Sequence, residues 1–118
     1  MARYIDGFVL PVPKKKLPTY LRLSKAAGKV WREYGALDYV ECIVDDNPKM
    51  GVPFPKLAKA KAGETVVFSW IAYKSRSHRD KVNKKVMADP RILKSMTGPM
   101  PFDVKRMSMG GFRSIVDM

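Results

Sequence analysis

Cysteine and histidine are nearly absent from this chain: among 118 residues there is one of each, Cys42 and His78. A lone cysteine excludes an internal disulfide and agrees with a reducing compartment. One thiol and one imidazole also fall short of a zinc ligand set, so a metal would have to rely on Asp6, Glu41, Asp45 and Asp46. Of these, Asp45-Asp46 precedes Asn47-Pro48 and reads as a turn. No P-loop and no dinucleotide fingerprint is present. The expectation is no metal site and no cofactor. No apolar run is long enough to span a bilayer, and MARYIDGFVLPVPKKK places its basic cluster after its apolar part, the reverse of a secretory signal. A soluble, unexported, cytoplasmic protein without a membrane partner is expected.

Acidic residues are also scarce, 11 against 23 Lys and Arg, for a formal charge of +12. The segment Lys74–Lys94 holds eight of the basic residues and two of the acidic ones, or +6. Much of the rest surrounds Lys14, Lys15 and Lys16. Such an excess serves solubility as readily as polyanion binding. Lys81, Lys84 and Lys85 are the candidate contacts for nonspecific nucleic acid.

The length fits one domain, residues 1–118. Arg3–Val12 is β-branched and aromatic, closed by prolines, and reads as a strand. Leu17–Tyr34 repeats apolar residues at three- and four-residue steps, with Pro18 tolerable in the first turn and Gly35 as the stop, which predicts an amphipathic helix. ALDYVECIVDD and TVVFSWIAY read as strands, the latter apolar enough for burial on both faces. The Pro-, Gly- and Lys-rich stretch between them is a loop with one helical turn over Lys56–Lys61. Ser75 or Ser77 caps a second helix through about Ala88, and Pro90 starts a short further turn. MTGPMPF is a loop and KRMSMGGFRSIV a fourth strand. The order β-α-β-β-α-β predicts an α+β, ferredoxin-like fold: a four-stranded antiparallel sheet with helices on one face.

The segments YIDGFVLPVP, YVECIVDD, VVFSWIAY, RDKVNKKVMADPR and MPFDVKRMSMGGF resemble, in order and over nearly the whole chain, those of the YbaA-like bacterial proteins of unknown function. The resemblance implies a ferredoxin-like protomer of the dimeric α/β-barrel superfamily, which includes small oxygenases, isomerase-like enzymes and proteins of no assigned activity. It carries over no catalytic residue, and whether the chain is an enzyme stays open.

Strand alternation divides the candidate residues. If the aliphatic sets lie under the helices, an open face carries Asp6, Phe8, Tyr39, Glu41, Phe68 and Trp70. Such a face marks a ligand groove or a homodimer interface. Asp6 and Glu41 would then need cations, and Lys105 and Arg106, entering the fourth strand beside the first, are the nearest by this logic. These eight are the candidate pocket or dimer-face residues, serving either a structural ion pair or a small-molecule site. Gly110-Gly111 reads as a bulge or close element contact before a phosphate cradle. His78 reads as a helix-start residue, and Cys42 as a small buried thiol. Met87, Met96, Met100, Met107 and Met109 read as adaptable core filling.

Two functions compete. One is a homodimer with a small-molecule pocket, its reaction unidentified. The other is an RNA- or nucleic-acid-binding ferredoxin-like module using the basic helical surface, supported by the charge of +12 and by Phe68 and Trp70, which stand where RNA-recognition motifs place their stacking aromatics. Asp6 and Glu41 on the same face would repel a phosphate backbone, which favours the first.

Overall fold

The computed structural model describes residues 2–118. Strand β1 (Tyr4–Pro13) runs through a short 3-10 turn into helix α1 (Leu17–Glu33). Strand β2 (Asp38–Ile43), a single helical turn α2 (Phe54–Leu57) and strand β3 (Glu64–Tyr73) follow. Helices α3 (Arg76–Met87) and α4 (Pro90–Ser95) lead through a second 3-10 turn, Val104–Arg106, to strand β4 (Ser108–Arg113). The sheet order is β2-β3-β1-β4 with every neighbouring pair antiparallel. The ferredoxin-like order expected from the sequence is thus the one observed.

Local chemistry explains the boundaries. Pro18 sits in the first turn of α1, where a missing N–H costs nothing, and Gly35 ends the helix with φ of +110°, a conformation that disfavours a Cβ. The Ser75 hydroxyl caps α3 by accepting the His78 backbone N–H at 3.1 Å. Asp89 caps α4 in the same way through the Arg91 N–H at 2.8 Å. His78 is indeed at a helix start, its Nδ1 accepting the Lys74 N–H at 3.0 Å. The fourth strand is shorter than expected. Asp103 accepts the Lys105 N–H at 3.0 Å and tightens the chain into the 3-10 turn, so Lys105 and Arg106 precede the strand and do not enter it.

The register fixes which residues share a face. Asp6 and Tyr39 both lie opposite Ile71, and Phe8 and Glu41 both lie opposite Ser69. Ile71 packs with Val30, Val82, Val86 and Ile92 of the helices, so all four candidates point to the helical layer. Phe68, opposite Val9 and Cys42, and Trp70, opposite Gly7 and Val40, point the other way. The expected single face of six residues does not exist. The aliphatic sets of β1 and β2 stand on the side away from the helices, while the aromatic and acidic sets lie beneath them. Alternation gives two sets per strand, but the pairing register decides which sets meet.

The uncovered face is partly shielded at one end. Turn α2 folds back onto it, and Phe54 meets the Phe68 ring edge-on at 6.2 Å. Phe68 still remains 44% exposed and Phe112, on the same face, 61%. Cys42 is exposed there too, correcting the expectation of a buried thiol. The Phe112 ring lies over Gly7, while Tyr4 packs on Gly111 from the opposite side, where a Cβ would collide with it. Gly111 is therefore a close contact between strands, whereas Gly110 has room for a Cβ.

Candidate functional site

Between the sheet and the helices lies a cavity of about 460 Å³. Its floor is Asp6 and Phe8 of β1, Tyr39 and Glu41 of β2, and Ser69 and Ile71 of β3. Its walls come from two helical stripes at three- and four-residue spacing: Tyr20, Ser24, Ala27 and Trp31 on α1, and Arg79, Asn83 and Met87 on α3. Met96, Met100 and Phe102 from the stretch after α4, with Met107 and Met109, close it from the β4 side. All five methionines expected as core filling border this one space, but Met87, Met96, Met100 and Met109 are exposed at its rim and only Met107 packs against the core, which corrects that expectation.

Two polar clusters interrupt the apolar lining. In the first, the Arg79 guanidinium donates to Asp6 at 2.6 Å and to Asp80 at 2.8 Å, and lies over the Tyr4 ring with 4.9 Å to the centroid. Asp6 is only 6% exposed, so this partner supplies the counter-charge its burial requires. Beside it, Trp31 Nε1 and the Tyr73 hydroxyl both donate to Asn83 Oδ1, at 3.2 and 3.3 Å. Two donors on that oxygen fix the amide orientation and leave its NH2 group for other acceptors. Burial first, and then the Asp6 charge, pushes the Tyr73 phenol above its ordinary range.

The second cluster centres on Glu41. Its carboxylate accepts the Tyr20 hydroxyl at 2.7 Å on one oxygen and the Tyr39 hydroxyl at 3.2 Å on the other. Both phenols are pushed well above the usual range, chiefly by burial and next by the Glu41 charge, so they remain neutral donors. Tyr39 is fixed from behind by Gly28, which has no side chain to displace the ring. Trp31 flanks it with ring centroids 6.0 Å apart, and Phe102 meets Tyr20 edge-on at 5.8 Å.

The other expected site residues fall elsewhere. Arg106 binds Glu64 and Asp103, and Lys105 is exposed, so neither compensates Asp6 or Glu41. Lys81, Lys84 and Lys85 are exposed on α3, outside the cavity lining. The argument that acidic residues repel RNA from the Phe68–Trp70 face also fails, because Asp6 and Glu41 are on the other side. The strand positions sharing that face contain no Lys or Arg to meet a phosphate backbone. Tyr20 and Trp31 are expected only as apolar positions of the first helix and not as site residues, while Arg79 and Asn83 carry no expectation, although the four-residue step Arg79–Asn83–Met87 is visible in the sequence. Among the described residues no group of three or more His, Cys, Asp or Glu could hold a metal, and no helix is long and apolar enough to cross a membrane.

A four-stranded antiparallel sheet with helices on one side and a polar-studded cavity between the layers defines a ferredoxin-like α+β protein. The chain belongs to the family described as Protein of unknown function (DUF1428), which matches residues 3–104. It is 47% identical over 116 residues to the uncharacterized protein YbaA of Escherichia coli strain K12, covering 98% of each chain. Among solved structures it resembles a dimeric ferredoxin-like protein from an uncultured marine organism, with a TM-score of 0.59, 10% identity and coverage of 100% and 98% of the two chains. It also resembles a NIPSNAP family protein of unknown function from Agrobacterium tumefaciens, with a TM-score of 0.57, 14% identity and coverage of 95% and 87%. At these identities the structural matches carry the fold alone.

Proposed function

We propose that this is a homodimeric small-molecule-binding protein whose ligand occupies the cavity between sheet and helices, with the uncovered sheet face as the dimer interface. The cavity carries the reading. Its volume of about 460 Å³ suits a small organic molecule, and its mostly apolar walls bear a few convergent polar groups, the usual composition of a ligand site. The Asp6–Arg79 pair and the free N–H groups of Asn83 orient a polar substituent at one end, and Glu41 with its two tyrosines does so at the other. Methionine-bordered walls accept a range of ring shapes. The dimer is supported by Phe68 and Phe112, large apolar side chains exposed on one sheet face, and by the dimeric state in the name of one structural relative.

Titration of isotope-labelled protein with a library of small ring-containing molecules tests the ligand site. Binders are expected to shift the resonances of Trp31, Met87 and Phe102 together and to raise the melting temperature. A library whose binders all map to the outer surface would remove the cavity reading.

A further inference from the structure

We infer that Glu41 with the rings of Tyr20, Tyr39, Trp31 and Phe102 forms a cage for an organic ammonium group, so that the ligand is an amine or quaternary ammonium with an apolar body. The inference rests on the ligand cavity proposed above and names the chemistry of its occupant. The two carboxylates of the cavity floor differ in one respect. Asp6 has Arg79 as an ion-pair partner at 2.6 Å, whereas Glu41 takes part in none of the ion pairs among the described residues. Its hydrogen bonds come from two phenols, which satisfy lone pairs without cancelling charge.

Each carboxylate oxygen keeps a further acceptor site, since each receives one hydrogen bond from a tyrosine. The rings are those already in contact, Tyr20 with Phe102 and Trp31 with Tyr39, and all of them line the cavity. Aromatic faces attract a desolvated cation through their quadrupoles, and a carboxylate among them supplies the opposite full charge. An anionic ligand would meet Glu41 without a cation in ion-pair contact to offset it. A neutral ligand would leave its charge uncompensated. On the outer side of α1 a groove brings Lys25, Lys29 and Arg32 toward Glu41, and none of them is within ion-pair distance of it. Arg32 instead donates to the Ala36 carbonyl at 3.2 Å.

The test compares benzyltrimethylammonium with benzyl alcohol, a cationic and a neutral probe sharing one ring, by calorimetry and by resonance mapping on the full chain. The cation is expected to bind more tightly and to shift the Trp31 indole N–H. Glu41→Gln should weaken the cation by about tenfold or more and the alcohol much less, since only the cation loses a full counter-charge. Phe102→Leu, which removes one ring and no charge, should also weaken the cation selectively, and it serves if Glu41→Gln proves unfolded. Equal affinity for both probes, or cation binding indifferent to both variants, overturns the cage while the cavity stands. Failure of both probes to perturb Trp31, Met87 and Phe102 overturns the cavity reading and the cage with it.

Discussion

Arg106 grips Glu64 with two hydrogen bonds, Nη1 to Oε1 at 2.6 Å and Nη2 to Oε2 at 2.7 Å, and in doing so ties the turn before β4 to the first residue of β3. Asp103 and the Lys59 carbonyl take further guanidinium N–H groups at 3.0 Å each. Both ions are largely shielded, with side-chain exposures of 16% and 9%. A bidentate pair of this kind is stronger than an ordinary surface salt bridge.

This pair makes stability sensitive to acid. The guanidinium holds the Glu64 carboxyl at about 2, below its ordinary 4.5. A depressed carboxylate contributes fully above its unfolded value and loses that contribution as the pH falls from about 4.5 toward 2. Glu64→Gln should cost about 2 kcal/mol at neutral pH and little near pH 2. Urea unfolding of both proteins across pH 2 to 7 measures this, and parallel curves for the two would exclude the pair as a source of acid sensitivity.

The contact between Gly28 and Tyr39 gives the second prediction. A Cβ at Gly28 would sit 2.8 and 2.9 Å from two ring carbons of Tyr39, whose hydroxyl is bound to Glu41 and whose ring is flanked by Trp31. Alanine normally gains about 0.5–1 kcal/mol over glycine inside a helix. Here that gain is offset by overpacking of about 1–3 kcal/mol, so Gly28→Ala should destabilise on balance and move the Tyr39 resonances. Equilibrium unfolding with ring chemical shifts reads both, and a stabilised variant with Tyr39 unmoved would show that the ring yields freely.

Much of this architecture was legible in the sequence because its signals are local. Pro18, Gly35, Ser75 and Pro90 punctuate the helices at positions that depend on their own backbone, and the element order followed from them. What failed was long-range. Whether Asp6 meets Ile71 or Trp70 depends on how β1 registers against β3, and no property of either strand alone sets it. A one-residue error moves Asp6, Phe8, Tyr39 and Glu41 to the opposite side. The rule that aliphatic residues belong under the helices then misled, because a cavity lies there and its floor is aromatic and acidic. The partner of Asp6 was missed for the same reason. Arg79 is 73 residues away in sequence, and only the packing of α3 over β1 brings it to the carboxylate.

The basic charge supports a third prediction. Lys81, Lys84 and Lys85 are exposed on α3 and line no part of the cavity. Any nucleic-acid affinity should be nonspecific, should fall steeply with salt, and should drop when these three are changed to glutamine. Phe68→Ala should not act by removing a stacking contact. Filter binding at increasing salt decides it, and sequence-selective RNA binding that persists in high salt would contradict this account.

The last prediction concerns the uncovered sheet face. Helices α1, α3 and α4 cover one side of the sheet, and the single turn α2 covers the other only at one end, against Phe68. Phe68 and Phe112 are left with large exposed apolar surfaces, and Trp70 lies between them on the same side of the sheet. No Lys or Arg shares this face at a strand position, so little opposes the approach of a second apolar surface. A two-fold pairing lets the patch cover its own copy, with each sheet serving as the other's missing layer. Burial of these aromatics makes folding and association interdependent, so the melting temperature should rise with protein concentration. Trp70→Glu would place a charge in that apolar contact and should yield a destabilised or aggregating chain, while cavity-lining changes such as Phe102→Leu leave association intact. Sedimentation equilibrium at micromolar concentration should return twice the chain mass of 13.4 kDa for the unmodified protein, and a well-folded species of the single mass, melting independently of concentration, would refute the interface.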